Sequence, residues 1–133
     1  MLYTIQVKSD LYALANGDIT FYKFQFSGFG LNFENIKRAY PPKGRLCPTL
    51  ANYVDEFIFA IAGLGLDTVD VYNAEKDAWK GAPSLNIERY RHTSCVLQDM
   101  IYVFGGFHHL STTSQRLYTI EAINAKKAIQ NDP

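Results

Sequence analysis

Residues 57–63, FIFAIAG, and residues 100–106, MIYVFGG, are two copies of one pattern at an offset of 43, a bulky apolar run that ends in glycine. Each reads as a buried strand stopped by a turn. Further on, LDTVDVYNAEKDAW (66–79) aligns with LYTIEAINAKKAIQ (117–130) at an offset of 51, sharing Leu66/Leu117, Thr68/Thr119, Asn73/Asn124, Ala74/Ala125 and Lys76/Lys127. The change of offset puts eight extra residues after the glycines of the second copy, in the segment FHHLSTTSQR (107–116).

Both copies have the same order of parts. A strand is followed by a short turn (Asp55-Glu56 or Gln98-Asp99), the apolar strand, a glycine loop, a third strand, an Asn-Ala-x-Lys turn and a strand begun near Trp79. Four short strands in a unit of about 45–50 residues match the length and strand count of a propeller blade. The segment WKGAPSLNIERYRHTSCVL (79–97) crosses from the outer strand of one unit to the inner strand of the next, and Pro83 sits there without removing a ladder hydrogen bond. The first 44 residues repeat the scheme loosely. LYTIQV (2–7) echoes LYTIEA (117–122), Asn16-Gly17 is a hairpin signal, ITFYKFQF (19–26) alternates, a Gly28/Gly30 loop follows, and Phe33 is expected where Trp79 stands later. No helix of useful length is expected: Glu121 to Gln130 aligns with a strand pair.

Composition sets the bounds. The 133 residues are 47% hydrophobic, 20% charged and 14% aromatic, an ordinary globular balance that excludes disorder and leaves room for one domain. Thirteen basic residues against thirteen acidic ones give no net field to hold a polyanion or an anionic membrane surface, so neither nucleic acid nor a membrane is expected as partner. Nine Tyr and nine Phe favour half-buried pleated surfaces and an all-β fold. Cys47 and Cys95 are too few for a disulfide scaffold or a four-ligand zinc site and are expected as small reduced core residues. The longest apolar run, Phe57 to Leu66, is half the length of a spanning helix, and the N-terminus lacks a signal-peptide pattern, so a cytoplasmic location is expected.

RYRHTSCVLQDMIYVFGG (89–106) resembles the first two strands of a kelch repeat, with a basic start, a histidine before the inner strand, and a strand that ends in a double glycine. VDVYNAEKDAW (69–79) is similar to the second half of that motif, where a tyrosine and a tryptophan seven residues later pack between blades. The likeness covers about residues 45–130. The first copy departs in having Ala62-Gly63 instead of two glycines, the second in having Gln130 where tryptophan would stand. The resemblance implies kelch-type β-propeller blades: residues 1–44 as a degenerate blade, 45–86 as a repeat and 87–133 as a truncated repeat. About three four-stranded antiparallel sheets make an incomplete ring, whereas family members close five to seven blades. Leaving about 400 Å² of apolar sheet face wet forgoes roughly 10 kcal/mol, so further blades, other chains or poor folding are the alternatives.

The resemblance also assigns roles. Gly63, Tyr72, Trp79, His92, Gly105 and Gly106 are expected to be structural. Arg89, Tyr90 and Arg91 form a basic-aromatic cluster where the crossing meets the inner strand, an end at which kelch loops contact partners. Leu64 and Phe107, just past the glycines, and His108 and His109 of the insertion join that expected partner-binding set. Arginines there would pair bidentately with an acidic or phosphorylated segment; the competing reading is an arginine bonded to blade carbonyls. No metal site is expected, because FHHLSTTSQ holds no carboxylate or cysteine. Catalysis is unsupported, since His92, Ser94 and Cys95 are too close along one strand to act as base and nucleophile, and Asp55-Glu56 and Glu75-Asp77 flank turns. No cofactor is expected.

The expected function is therefore a non-catalytic protein-binding module, as the substrate-recognition part of a ubiquitin-ligase adaptor or as a cytoskeletal scaffold. A structural subunit of a larger assembly and an oxidase-like propeller enzyme are the alternatives. The all-β expectation predicts a far-ultraviolet circular-dichroism spectrum dominated by strand, and a helical spectrum would overturn it.

Overall fold

A computed structural model describes residues 1–28 and 32–130; Gly30 of the expected glycine loop lies outside them. The chain forms β1 (Leu2–Val7), β2 (Asp10–Ala15), β3 (Phe21–Ser27) and β4 (Asn32–Lys37), then β5 (Thr49–Tyr53), β6 (Phe57–Gly63), β7 (Leu66–Asn73) and β8 (Ala78–Ala82). It continues with β9 (Thr93–Leu97), β10 (Met100–Phe104), β11 (Phe107–His109), β12 (Ser114–Arg116) and β13 (Ile120–Asn124), and ends in α1 (Ala125–Gln130). The first two groups are four-stranded antiparallel meanders in chain order, and the third is a three-stranded sheet ordered β13-β10-β9. The inner strands β1, β5 and β9 lie side by side, so the sheets stack as successive blades.

Registers show that the two copies are equivalent. Phe57 pairs with Asn73 and Ile61 with Val69 in the second sheet; Met100 pairs with Asn124 and Phe104 with Ile120 in the third. The same positions are thus opposed under both sequence offsets. The extra residues between them fold into a two-stranded hairpin of β11 and β12.

Strand alternation sends successive side chains of β6 to opposite neighbours. Ile58, with Tyr72 and Trp79, packs on Val7, Tyr12, Leu14 and Phe21 of the first sheet. Phe59 and Ile61, with Val69 and Val71, pack on Ile101, Val103 and Ile123 of the third. The middle sheet is therefore apolar on both faces, and each such buried side chain contributes about 1.5–3 kcal/mol. The outer sheets bury one face each and leave Phe33 64%, Leu97 62% and Ile120 60% exposed.

Four expectations are corrected. The stretch from Glu121 to Gln130 is not a strand pair, because residues 125–130 are helical. Asn124 Oδ1 accepts a hydrogen bond from the Lys127 N–H at 2.9 Å as a cap, and AKKAIQ buries Ala125 and Ala128 on one side. Among the described residues the third sheet accordingly has no fourth strand. LYTIQV is an inner first strand, whereas residues 120–124 are a third strand, so their likeness reflects shared chemistry without shared position. Phe33 does not take Trp79's place; it is exposed and packs on Phe24 and Phe26 of its own sheet. Cys95 is exposed and Cys47 half-buried, so neither is a core residue; Cys95 pairs with Tyr102 on the uncovered side of the third sheet.

The glycine after each apolar strand is required by close approach. A Cβ on Gly63 would lie 2.9 Å from Leu46 O, and one on Gly106, at a φ of +82°, would lie 2.6 Å from Tyr90 O and 2.9 Å from His92 Cα. Gly65 has a similar φ of +73° but open space around it. Gly106→Ala is expected to destabilise the protein by at least about 2 kcal/mol, combining backbone strain with overlap, against about 1 kcal/mol for Gly65→Ala. Equal shifts in the urea midpoints of the two variants would show that the contact at Gly106 is not limiting.

Candidate functional site

The loops after the second strands and the crossings between blades meet at one end of the sheets. Backbone hydrogen bonds stitch them together: Gly17 N–H to Arg45 O, Leu64 N–H to Leu46 O, Gly63 N–H to Arg89 O and Arg91 N–H to Cys47 O. These bonds bring Leu64, Arg89, Tyr90, Arg91 and Phe107 into one neighbourhood.

Arg89 does not face a partner. Its side chain is fully buried, and it donates to Gly105 O at 3.0 Å, Thr119 O at 3.1 Å, Thr119 Oγ1 at 3.1 Å and Glu121 Oε2 at 2.7 Å. This corrects its expected place in the partner-binding set, since its donors serve the blade itself. One blade earlier, Arg45 donates in the same way to Ala62 O, Thr68 O and Thr68 Oγ1, and to Asp70 Oδ2 at 2.7 Å. The signal for this clamp was available in the sequence: Arg45 and Arg89 are 44 apart, and Thr68/Asp70 recur as Thr119/Glu121 at the offset of 51. Removing either member of such a buried pair strands the other, typically at about 3–5 kcal/mol.

Two residues beyond each clamp the chain turns through the left-handed region, at Cys47 (φ 53°) and Arg91 (φ 54°). That turn delivers the next residues to the inner strands and frees the Arg91 side chain. Arg91 is exposed, and its guanidinium makes no hydrogen bond or ion pair among the described residues. It borders a cavity of ≈ 380 Å³ lined also by Tyr3, Cys47, Thr49, His92, Thr93 and Ser94. Burial and the neighbouring Cys47 thiol raise the Tyr3 phenol to about 12 against the opposing charge of Arg91, so it is a neutral hydrogen-bonding group near neutral pH. The cavity thus combines one free cation with several hydroxyls, a set suited to an anionic group.

Beside it, the insertion is anchored to the crossing. Tyr90 and Phe107 exchange backbone hydrogen bonds, their rings lie 5.8 Å apart, the Tyr90 hydroxyl bonds Ser114 Oγ, and Arg116 sits over the Phe107 ring. Tyr90 and Phe107 therefore form a half-buried aromatic platform. His108 is tied to Glu88, with Nδ1 3.3 Å from both the backbone oxygen and a carboxylate oxygen, while His109 is exposed. Among the described residues no three His, Cys, Asp or Glu side chains cluster as a metal site would require, and no helix is long and apolar enough to cross a membrane.

The residues assigned structural roles are placed between blades. Tyr72 is buried against Tyr12 and Phe21, its hydroxyl donates to Asp77 and accepts from Arg38 Nε, and the Trp79 indole donates to Ala39 O at 2.9 Å. His92 is buried with Nε2 2.9 Å from Thr49 Oγ1.

A family model described as the Kelch motif matches residues 88–128. Human Kelch-like protein 28 is 46% identical over 41 residues, 31% of this chain and 7% of that protein. Kelch repeat and BTB domain-containing protein 2 of horsepox virus is 33% identical over 107 residues, 74% of this chain and 19% of that protein. The chain is a member of the kelch-repeat family. Its fold is that of the kelch β-propeller YjhT, whose solved structure matches with a TM-score of 0.70 at 17% identity, over 80% of this chain and 34% of that one. The kelch chain therefore spans less than a fifth of the lengths of these two curated relatives.

His92 offers a pH test. Burial, with help from the charges of Arg89 and Arg45 and against the polar backbone of Ile61, lowers it from 6.5 to about 4. A histidine that binds its proton more weakly when folded contributes stability that is intact above pH 6.5 and lost as pH falls through about 4. The native protein should lose roughly 3 kcal/mol more than His92→Gln across that interval, read from urea midpoints at each pH. Parallel profiles for the two proteins would contradict it.

Proposed function

We propose that this kelch chain is a non-catalytic interaction module that docks a partner protein at the loop end described above, with Arg91 engaging a carboxylate or phosphate of the partner. The carrying observation is the contrast among arginines. Arg38, Arg45 and Arg89 spend their donors on the fold, whereas Arg91 is exposed and uncommitted beside a hydroxyl-lined cavity. Tyr90, Phe107, Leu64 and the His108–His109 strand supply the apolar and polar rim. An aromatic platform beside a free arginine is the composition that concentrates binding energy at interfaces. Substrate recognition within a ubiquitin-ligase adaptor and cytoskeletal scaffolding, both in a cytoplasmic setting, are the two forms of this role that we propose.

A second reading, a structural subunit whose end faces are covered by further blades or by other chains, is favoured by the exposed Phe33, Leu97 and Ile120. The match to about a third of YjhT also supports it. The two readings are compatible, since docking at the loop end leaves both sheet faces free.

Arg91→Ala should weaken binding of an acidic peptide selected against the native chain by about tenfold or more, equivalent to 1.4 kcal/mol, with an unchanged urea midpoint. Arg91→Lys should lie between the two. Equal affinity of the native and Arg91→Ala proteins, measured by titration calorimetry, would remove Arg91 from the docking site.

A further inference from the structure

Among the described residues the third sheet has no outer strand beside β13. In the second sheet, β8 runs antiparallel to β7 with Ala82 opposite Val69, Lys80 opposite Val71 and Trp79 opposite Tyr72. In the third, β13 is the edge strand. Because Gly105 N–H bonds Thr119 O, alternation points the backbone groups of Thr119, Glu121 and Ile123 at β10 and those of Ile120 and Ala122 outward. Ile120 and Ala122 occupy the positions that Val69 and Val71 hold one blade earlier, where β8 bonds them.

A groove of ≈ 310 Å³ runs along this edge, lined by Pro83 to Asn86 of the crossing, Glu121 to Asn124 of β13, and Lys127 and Ala128 of α1. Under the offsets of 44 and 51 the groove is the counterpart of the Trp79 site: Pro83 corresponds to Ala39, whose carbonyl holds the indole, and Ile123 corresponds to Tyr72, on which the ring packs at 5.1 Å. The chain's own candidate for that seat, Gln130, lies instead at the exposed end of α1.

We infer that the edge of β13 and its groove accept an extended segment of another polypeptide, added antiparallel to β13 with an aromatic side chain in the groove opposite Ile123. The sister blade states the chemistry of that occupant: Ala78-Trp79-Lys80-Gly81-Ala82, one large ring flanked by a small residue and a lysine, with small residues beyond. The added strand would make about four backbone hydrogen bonds to Ile120 and Ala122. This site lies on the outer edge of the blade and is independent of the docking end around Arg91.

The experiment uses the full chain and a fluorescein-labelled peptide KDAWKGAPS, the sequence of residues 76–84. Anisotropy should show saturable one-to-one binding, with a loss of about tenfold or more for the same peptide carrying alanine in place of tryptophan. Ala122→Pro, which removes an outward N–H and no ladder bond, should abolish it. Amide exchange on the native chain needs no variant: the peptide should slow the amides of Ile120 and Ala122. Absence of saturation up to about 1 mM, or equal binding of the tryptophan-free peptide, would overturn the inference. So would protection at Val69 and Val71 instead, which would mean exchange with β8.

Discussion

A buried guanidinium in each crossing segment holds this molecule's blades in order. Arg45 and Arg89 each reach from the chain between blades into the blade that follows, where a carboxylate and a threonine at the third strand and a carbonyl at the end of the second take their donors. A charge removed from water in this way is tolerated only if it is paired and bonded, so the position of the crossing relative to the sheet is fixed to within hydrogen-bond tolerance. The consequences follow along the chain. The carbonyls of the clamping arginines lie within reach of the preceding blade's loop, glycines must stand where crossing and loop meet, and the next residues turn through the left-handed region into the inner strand.

The same clamp explains how one end of the protein can be both rigid and available. Arg89 and Arg91 are two residues apart, yet one is wholly buried and the other exposed. The first consumes its charge in building the loop, and the second is carried outward by the turn the first imposes. The insertion is held to the same crossing by Tyr90 and Phe107, so the aromatic platform and the free cation are placed by one short segment.

Much of this was legible in the residues themselves. The two apolar runs and the shift from an offset of 43 to 51 located equivalent strands, and the registers of β6 with β7 and β10 with β13 repeat that arithmetic. Through the kelch resemblance the tyrosine and tryptophan spaced by seven were expected between blades, and they lie between the first two sheets. Less was legible where identity of residues and identity of position part company. LYTIQV and LYTIEA read alike but sit in different strands, because a strand's place is set by its neighbours. Residues 125–130 align with a turn and strand, yet two alanines and a capping asparagine suffice for a short helix once no tryptophan is present to seat the strand. Arg89 was ambiguous in sequence because burial of an arginine depends on a carboxylate many residues away, and the paired recurrence of Asp70 and Glu121 was the clue.

The seams between sheets differ in chemistry: aromatic rings and a polar relay through Arg38 and Asp77 join the first to the second, while aliphatic side chains dominate between the second and the third. The chain's single tryptophan lies in the former. Nature has thus placed an intrinsic fluorophore at one junction only. Its emission tracks the parting of the amino-terminal pair and is nearly blind to separation at the carboxy-terminal end, so optical and calorimetric melting curves that failed to coincide would reveal which junction yields first.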